Sequence, residues 1–386
     1  MKNILALNNI SKKASVLLTG DYALSTDCPN PDGIIVRSFS MHDYNLPESV
    51  VAVARAGAGT NNIPSAEYAK KGVVVFNTPG ANANAVKELV IASLFLSGRK
   101  IIRGAEWTQT LKGQPDYSKQ VESGKKQFVG GEVLGKTLGV IGLGAIGALV
   151  ANSARALGME VVGYDPYITT ENALHLDTHV RLSKNLDDLL KVSDFVTIHI
   201  PYLDSTKNTI NAQNIKNMKK GAVLINLARG ELVETAAVVD AVKSDALSRY
   251  VTDFGNDDLL GVDNIIVFPH LGASTPEAED NCAIMAVDEL KDFISNGNIK
   301  NSVNFPACSA PKCGEGRLSI VHKNESNVLS GITDILGKNG YNIENFVSKS
   351  KGELAYALVD TTDKLPESIV SEIRNLSTII RVRVIY

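Results

Sequence analysis

Three sets of polar residues follow short apolar runs in the middle of the chain. Arg229 follows AVLINLA, the pair Asp257–Asp258 follows RYVTDF, and His270 follows NIIVFP. Taken singly, each has a plain reading: a solvated loop charge, a turn, a hydrogen-bonded ring. Together they make a chemical set. An imidazole can take the proton of a hydroxyl group. A carboxylate bonded to its other nitrogen would orient the ring and stabilise the imidazolium. A guanidinium can clamp a carboxylate through two parallel bonds and polarise the neighbouring oxygen. The set suits oxidation of a 2-hydroxy acid, in which C2 gives up a hydride and its hydroxyl a proton.

A hydride needs an acceptor, and the sequence offers a place for one. Gly142-Leu143-Gly144-Ala145-Ile146-Gly147 closes an apolar strand-like run and opens a helix-like one. Gly142 permits the tight turn, Gly144 lets backbone approach a pyrophosphate, and Gly147 lets helix and strand pack closely. Free N–H groups at the helix start, those of Ala145 and Ile146 included, suit the phosphates. Asp165 ends the next strand-like run and can accept from the adenosine ribose hydroxyls. It would repel a 2′-phosphate, and no Arg or Lys follows it before Arg181, so NAD is expected rather than NADP.

These residues need a scaffold, and apolar runs alternating with helical patterns predict one. TLGVIG, EVVGYD, DFVTIHI, AVLINLA, RYVTDF and NIIVF read as six strands of a buried parallel sheet, with helices between them and a polar helix near 211–218. NILAL, GIIVR, VVAVAR and VVVFN repeat the theme earlier, and 84–103 forms a long helical pattern. A helix from about Thr275 to Asn296 would carry the chain back to the first domain. The expected division is 1–94 with 275–305 for a discontinuous substrate domain, 95–274 for the dinucleotide domain, 306–316 for a linker and 317–386 for a βαββαβ module. The terminal RVRVIY is expected to offer an edge for pairing with a second chain.

Composition excludes several classes. Lys+Arg 39 against Asp+Glu 42 gives a net charge of −3, which argues against a nucleic-acid or membrane-surface binder. The glycine-broken run Leu138–Ala151 is too short to span a bilayer. The N-terminus lacks the apolar length of a signal peptide. Cys28, Cys282, Cys308 and Cys313 show no metal-ligand spacing, so no metal is expected and a reducing, cytoplasmic setting is. Cys308 and Cys313 could pair, but nothing requires it.

GLGAIG, NLARGE and PHLGAST, in this order and spacing, resemble the D-2-hydroxyacid dehydrogenase family over roughly 30–305. The resemblance implies an α/β fold: a Rossmann-type doubly wound sheet beside a discontinuous flavodoxin-like substrate domain. It implies Arg229 as the carboxylate clamp, His270 as general acid/base, and Asp258 as the acidic partner, with Asp257 the alternative. The family's acid is usually a glutamate, one methylene longer. Thr78, Pro201, Thr206 and Asp253 match positions near the cofactor, Asp253 beside the nicotinamide carboxamide. The run RAGAGTNNI resembles the substrate loop, with Ala56, Gly57 and Ala58 cradling a carboxylate and Asn82 beside the substrate. Members that act on a small phosphorylated 2-hydroxy acid carry an Arg at the position of Arg55. The C-terminal module resembles an ACT regulatory domain, whose pattern here implies L-serine contacts from His322, Asn324 and Asn342. Ser326-Asn327 replaces a usual Pro-Gly pair in the adjoining loop. A homo-oligomer, dimer or tetramer, is implied as well.

Overall fold

The computed structural model describes residues 1–385. Tyr386, the last residue of RVRVIY, lies outside the described residues. Contacts divide the chain into two units: Met1–Asn82 with the segment from Pro276 onward, and Ala83–Thr275.

The first unit opens with β1 (Lys2–Leu7), α1 (Lys12–Leu17), β2 (Tyr22–Ser25), β3 (Gly33–Val36), β4 (Ala52–Arg55), α2 (Ser65–Lys70) and β5 (Val74–Phe76). The strands pair in parallel in the order β2-β1-β3-β4-β5. β3, GIIV, is buried at every position, as a parallel strand covered on both faces must be.

The second unit holds α3 (Ala83–Gly98), α4 (Ile101–Thr110), α5 (Tyr117–Gly124), β6 (Thr137–Ile141), α6 (Ala145–Ala156), β7 (Glu160–Tyr164), α7 (Thr170–Leu174), β8 (Arg181–Leu182), α8 (Leu186–Val192), β9 (Phe195–Ile198), β10 (Ala222–Asn226), α9 (Thr235–Lys243), β11 (Leu247–Thr252) and β12 (Ile265–Val267). Its seven strands run in the order β12-β11-β10-β9-β6-β7-β8, all parallel. The order reverses between β6 and β9, and ligands bind outside the carboxyl ends of strands at such a reversal. Three details differ from the sequence expectation. β8 adds a seventh strand of two exposed residues. The helical pattern over 84–103 breaks between α3 and α4. The polar helix expected near 211–218 is only a 3-10 turn at Ile215–Asn217. There the Asn211 and Asn214 carboxamides accept from nearby backbone N–H groups, which competes with helix formation.

α10 (Pro276–Asn296) returns the chain to the first unit. Its Ala283, Ala286, Val287, Leu290 and Ile294 are buried in one core with Ile4, Ile35 and Phe76. The remainder is β13 (Gly316–Lys323), α11 (Val328–Lys338), β14 (Ile343–Lys351), β15 (Leu354–Thr361), α12 (Glu367–Arg374) and β16 (Ile379–Ile385). They form an antiparallel sheet in the order β14-β15-β13-β16. One face packs on α11 and α12 through Leu318, Ile332 and Val370. Val321, Tyr356 and Leu358 join the core of the first unit instead.

Within the first unit, this module is tied to the rest by specific contacts. Cys308, in the expected linker, bridges back to Ile299. The fully buried Arg317 spends its guanidinium on both oxygens of Asp360 (2.5 and 2.7 Å) and on the carbonyls of Asn296, Ala310 and Pro311. β16 is an edge strand, as expected of RVRVIY, but its side chains engage its own chain. Arg381 donates to the carbonyls of Glu48 and Val50, and Arg383 to those of Phe293 and Ile294.

Glu289 on α10 is 6% exposed. Its Oε1 accepts from Asn301 at 2.7 Å, while Oε2 has no partner among the described residues. Burial pushes this carboxyl up to about 8 from 4.5. A folded-state value above the unfolded one contributes stability at low pH that is lost as pH rises to about 8. Glu289→Gln should therefore gain on the wild type between pH 5 and 9, by roughly 1–4 kcal/mol. Thermal unfolding midpoints across that range check this; parallel wild-type and variant curves would refute it.

No helix of the described residues is long and apolar enough to cross a membrane. Cys28, Cys282, Cys308 and Cys313 are free thiols.

Candidate active site

The glycine turn sits where β6 meets α6. Gly142 has φ 88°, in the left-handed region, and a Cβ there would lie 2.6 Å from the His199 carbonyl oxygen. A Cβ at Gly147 would lie 1.9 Å from the Gly142 carbonyl oxygen, so only glycine lets helix and turn close. Nothing lies within 4 Å of a Cβ built at Gly144, which leaves that backbone open to a ligand. Gly144 caps α6 with no side-chain bond among the described residues. The first N–H groups, Ala145 and Ile146 among them, thus keep the donor capacity a pyrophosphate uses. Asp165 accepts from Leu143 N at 2.9 Å through one oxygen and from Tyr167 N at 2.8 Å through the other. It ties the end of β7 to the turn. The Thr206 hydroxyl donates to the Pro201 carbonyl at 2.8 Å and accepts from Leu203 N, shaping the loop after β9.

Asp253 follows β11 and is 3% exposed. One oxygen accepts from Gly272 N at 2.9 Å; the other, Oδ1, has no partner among the described residues. Burial pushes its carboxyl up, against the opposing pull of His270 and Arg229. An orphaned buried acceptor is the fitting receptor for an amide N–H, the donor that a nicotinamide carboxamide carries. With the glycine cradle and the open α6 terminus, these residues fit NAD.

His270 has φ 49°, a left-handed conformation rare outside glycine and costly to hold. Its N–H bonds the Asp253 and Phe268 carbonyls. Its ring packs on Phe254 with centroids 4.7 Å apart. Arg229 stands over the same Phe254 ring at 5.8 Å and donates to the Ala228 carbonyl. Fully buried Asn226 holds that loop by donating to the Arg229 carbonyl at 2.8 Å and accepting from Ala228 N. Structure thus gathers Arg229, His270 and Asp253 around Phe254. Sequence reasoning did not single out Phe254 or Asn226. Phe254 adjoins Asp253, and Asn226 ends an apolar run, but no spacing rule marks either. Asp257 and Asp258 are exposed, and among the described residues neither bonds His270. The shorter side chain is not offset by a closer loop here.

In the first unit, the Arg55 guanidinium folds over Gly57. Gly57 has φ 146°, a conformation that favours glycine, and a Cβ there would lie 1.6 Å from Arg55 Nη1. Arg55 Nε donates to the Arg37 carbonyl at 3.1 Å. Arg37 itself is paired with Glu279 at 2.6 Å. The Ala56–Ala58 loop is held by Thr78 N donating to the Gly57 carbonyl and Asn77 Nδ2 to that of Ala58. Two buried oxygens, Thr78 Oγ1 and Asn82 Oδ1, have no partner among the described residues.

In the C-terminal module, His322 is 3% exposed. Its Nδ1 lies 2.8 Å from the Lys323 carbonyl, and Nε2 has no partner among the described residues. Burial pushes this imidazole down. Asn324 sits near it, bonded to Gly352 and Glu353. Asn342 lies at the other end of the sheet, bonded to Glu344 and Thr362. The six steps of β13 between Gly316 and His322 separate the two ends by about 20 Å. Asn327, at φ 67°, takes the left-handed conformation that caps α11, so the Ser326-Asn327 loop forms. Among the described residues no three His, Cys, Asp or Glu side chains gather to hold a metal ion.

Residues 94–272 match the model of the D-isomer specific 2-hydroxyacid dehydrogenase NAD-binding domain. D-3-phosphoglycerate dehydrogenase of Escherichia coli (strain K12) is 33% identical over 358 residues, covering 89% of this chain and 83% of that protein. Among solved structures, NAD⁺-bound 3-phosphoglycerate dehydrogenase of Entamoeba histolytica superposes with a TM-score of 0.61 at 25% identity, covering 78% of this chain and 98% of that one. Apo D-mandelate dehydrogenase of Rhodotorula graminis shares the fold, with a TM-score of 0.67 at 22% identity over 81% of this chain and 99% of that one. The chain belongs to the D-isomer specific 2-hydroxyacid dehydrogenases. It is an NAD-dependent oxidoreductase acting on a CH–OH group, and within the family it is similar to enzymes named for D-3-phosphoglycerate.

Proposed function

We propose that this enzyme oxidises D-3-phosphoglycerate at C2 to 3-phosphohydroxypyruvate, the first step of the phosphorylated route to L-serine. The observation that carries the substrate choice is Arg55, whose guanidinium lies over the substrate-loop glycine Gly57. A phosphate dianion calls for such a charge-assisted donor. The relatives' names support the same choice.

NAD⁺ supplies the hydride acceptor when bound. Arg229 binds the substrate carboxylate and polarises the C2 oxygen. His270 takes the C2 hydroxyl proton through a ring nitrogen and returns it in the reverse direction. The backbone of Ala56, Gly57 and Ala58 supplements the carboxylate contacts. Asp253 Oδ1 orients the cofactor's carboxamide, and Asp165 takes the ribose hydroxyls. Asp258, with Asp257 the alternative, takes the acidic role on the family resemblance and not on a bond to His270.

L-Serine is the proposed effector, with His322 Nε2 as the free buried group that receives it. Asn342 stands too far along the sheet to join His322 in one chain. A site using both draws Asn342 from a second copy, which makes a homo-oligomer, dimer or tetramer, part of the proposal. The setting is cytoplasmic, where the cofactor and the phosphorylated acid are both available.

NADH oxidation with 3-phosphohydroxypyruvate, hydroxypyruvate and 2-oxoglutarate, each with and without L-serine, tests this reading. The phosphorylated substrate should be preferred, and serine should slow it. Arg55→Ala should cost the phosphorylated substrate roughly 10- to 100-fold in kcat/KM and spare the others. Equal losses for all three would overturn the phosphate assignment.

A further inference from the structure

The amino ends of the strands in the second unit open on a cavity of about 500 Å³. It lies at the other end of the sheet from the glycine turn. The four steps of β6 alone put about 13 Å between the two ends. Lys100, Lys136, Lys219, Lys220 and Arg249 line it. Lys136 and Lys220 stand just before β6 and β10, and Arg249 lies within β11. The volume is in the range of small-molecule sites.

Arg249 is the decisive residue. It is 9% exposed, yet its guanidinium has no hydrogen bond or ion pair among the described residues. Its neighbour Arg103 is paired with Asp263 and repels it. A largely buried arginine whose guanidinium faces a cavity without a protein partner is better satisfied when an anion completes it. The cavity's own acids do not do so. Asp194 is tied to Thr137 N at 2.8 Å and to Lys219 at 3.1 Å. Glu132 and Asp245 also line the cavity, and neither is paired with Arg249. Arg249, Lys100, Lys136 and Lys220 therefore remain as spare cations. A forked guanidinium with flanking ammonium groups is the donor set that suits phosphate oxygens.

We propose that this cavity binds a small phosphorylated anion, at a site separate from those of the dinucleotide and the substrate. Isothermal titration of the full-length, NADH-saturated protein tests it with two probes, inorganic pyrophosphate and glycerol 2-phosphate. Saturation with NADH keeps both probes off the glycine turn. At least one probe should bind saturably, and at least 10-fold more weakly to Arg249→Met, whose side chain keeps the packing volume. Binding of pyrophosphate alone would identify free phosphate as the source, and binding of glycerol 2-phosphate a phosphomonoester. If Arg249→Met fails to fold, the paired surface change Lys136→Gln with Lys220→Gln carries the test with the same expected weakening. No saturable binding of either probe to the wild type overturns the proposal. So does binding that these substitutions leave unchanged, which would place the anion at Arg55 instead.

Discussion

His270→Asn should lower kcat by about 10²- to 10⁴-fold while NADH binds as tightly as before. Asparagine keeps a polar amide near the reacting oxygen but cannot carry the proton. The loss corresponds to about 3–5 kcal/mol of barrier. NADH affinity should hold because the groups assigned to the cofactor lie elsewhere: the glycine turn, Asp165 and the free oxygen of Asp253. One complication is the left-handed backbone at position 270. Asparagine tolerates that conformation better than most residues, so the loop and the His270 N–H bonds survive the change. NADH fluorescence titration and single-turnover hydride transfer separate the two effects. A variant that binds NADH and turns over within 10-fold of wild type would remove His270 from the acid/base role.

The glycine turn was legible because three separate physical demands fall on fixed spacings. Gly142 needs a positive φ, Gly144 an open approach and Gly147 room against the Gly142 carbonyl. The parallel strands were legible for a similar reason: burial on both faces writes a continuous apolar run. β8 has no such run, since its Arg181 and Leu182 are both exposed. The Asn-rich 211–218 segment misled because its polar side chains suit a solvated helix and an Asx turn equally well. Arg229 and His270 could be proposed from their places after apolar runs, and Asp253 only from the family resemblance. Phe254, which touches two of them, could not, because a lone aromatic after a strand reads as core. The expected carboxylate–imidazole pair likewise needed a loop distance that no sequence states. RVRVIY reads as a terminal strand that would offer an edge, and β16 (Ile379–Ile385) does lie at the edge of its sheet. Only the fold shows that its arginines are spent on carbonyls of Glu48, Val50, Phe293 and Ile294.

Arg229→Gln should reduce kcat/KM by about 10²- to 10⁴-fold, with both a higher KM and a lower kcat. The KM rises because the substrate carboxylate loses its forked, charge-assisted partner. The kcat falls because the same guanidinium polarises the C2 oxygen as the bond to hydrogen breaks, an interaction that strengthens toward the transition state. Arg229→Lys discriminates between these parts. A lysine restores charge but not the planar fork, so it should recover part of the KM and little of the kcat. The arginine's aim does not come from the ring contact with Phe254 alone. Asn226 fixes the loop through the Arg229 carbonyl, and that bond is made by the backbone at position 229. Substituting the side chain therefore leaves the loop in place, and the kinetic loss reports the guanidinium rather than a displaced strand end. Steady-state kinetics of both variants, with NADH binding as the control for folding, give the comparison. If Gln leaves KM unchanged, the carboxylate is held elsewhere. If Lys restores kcat fully, charge alone suffices and the bidentate clamp is not what the reaction uses.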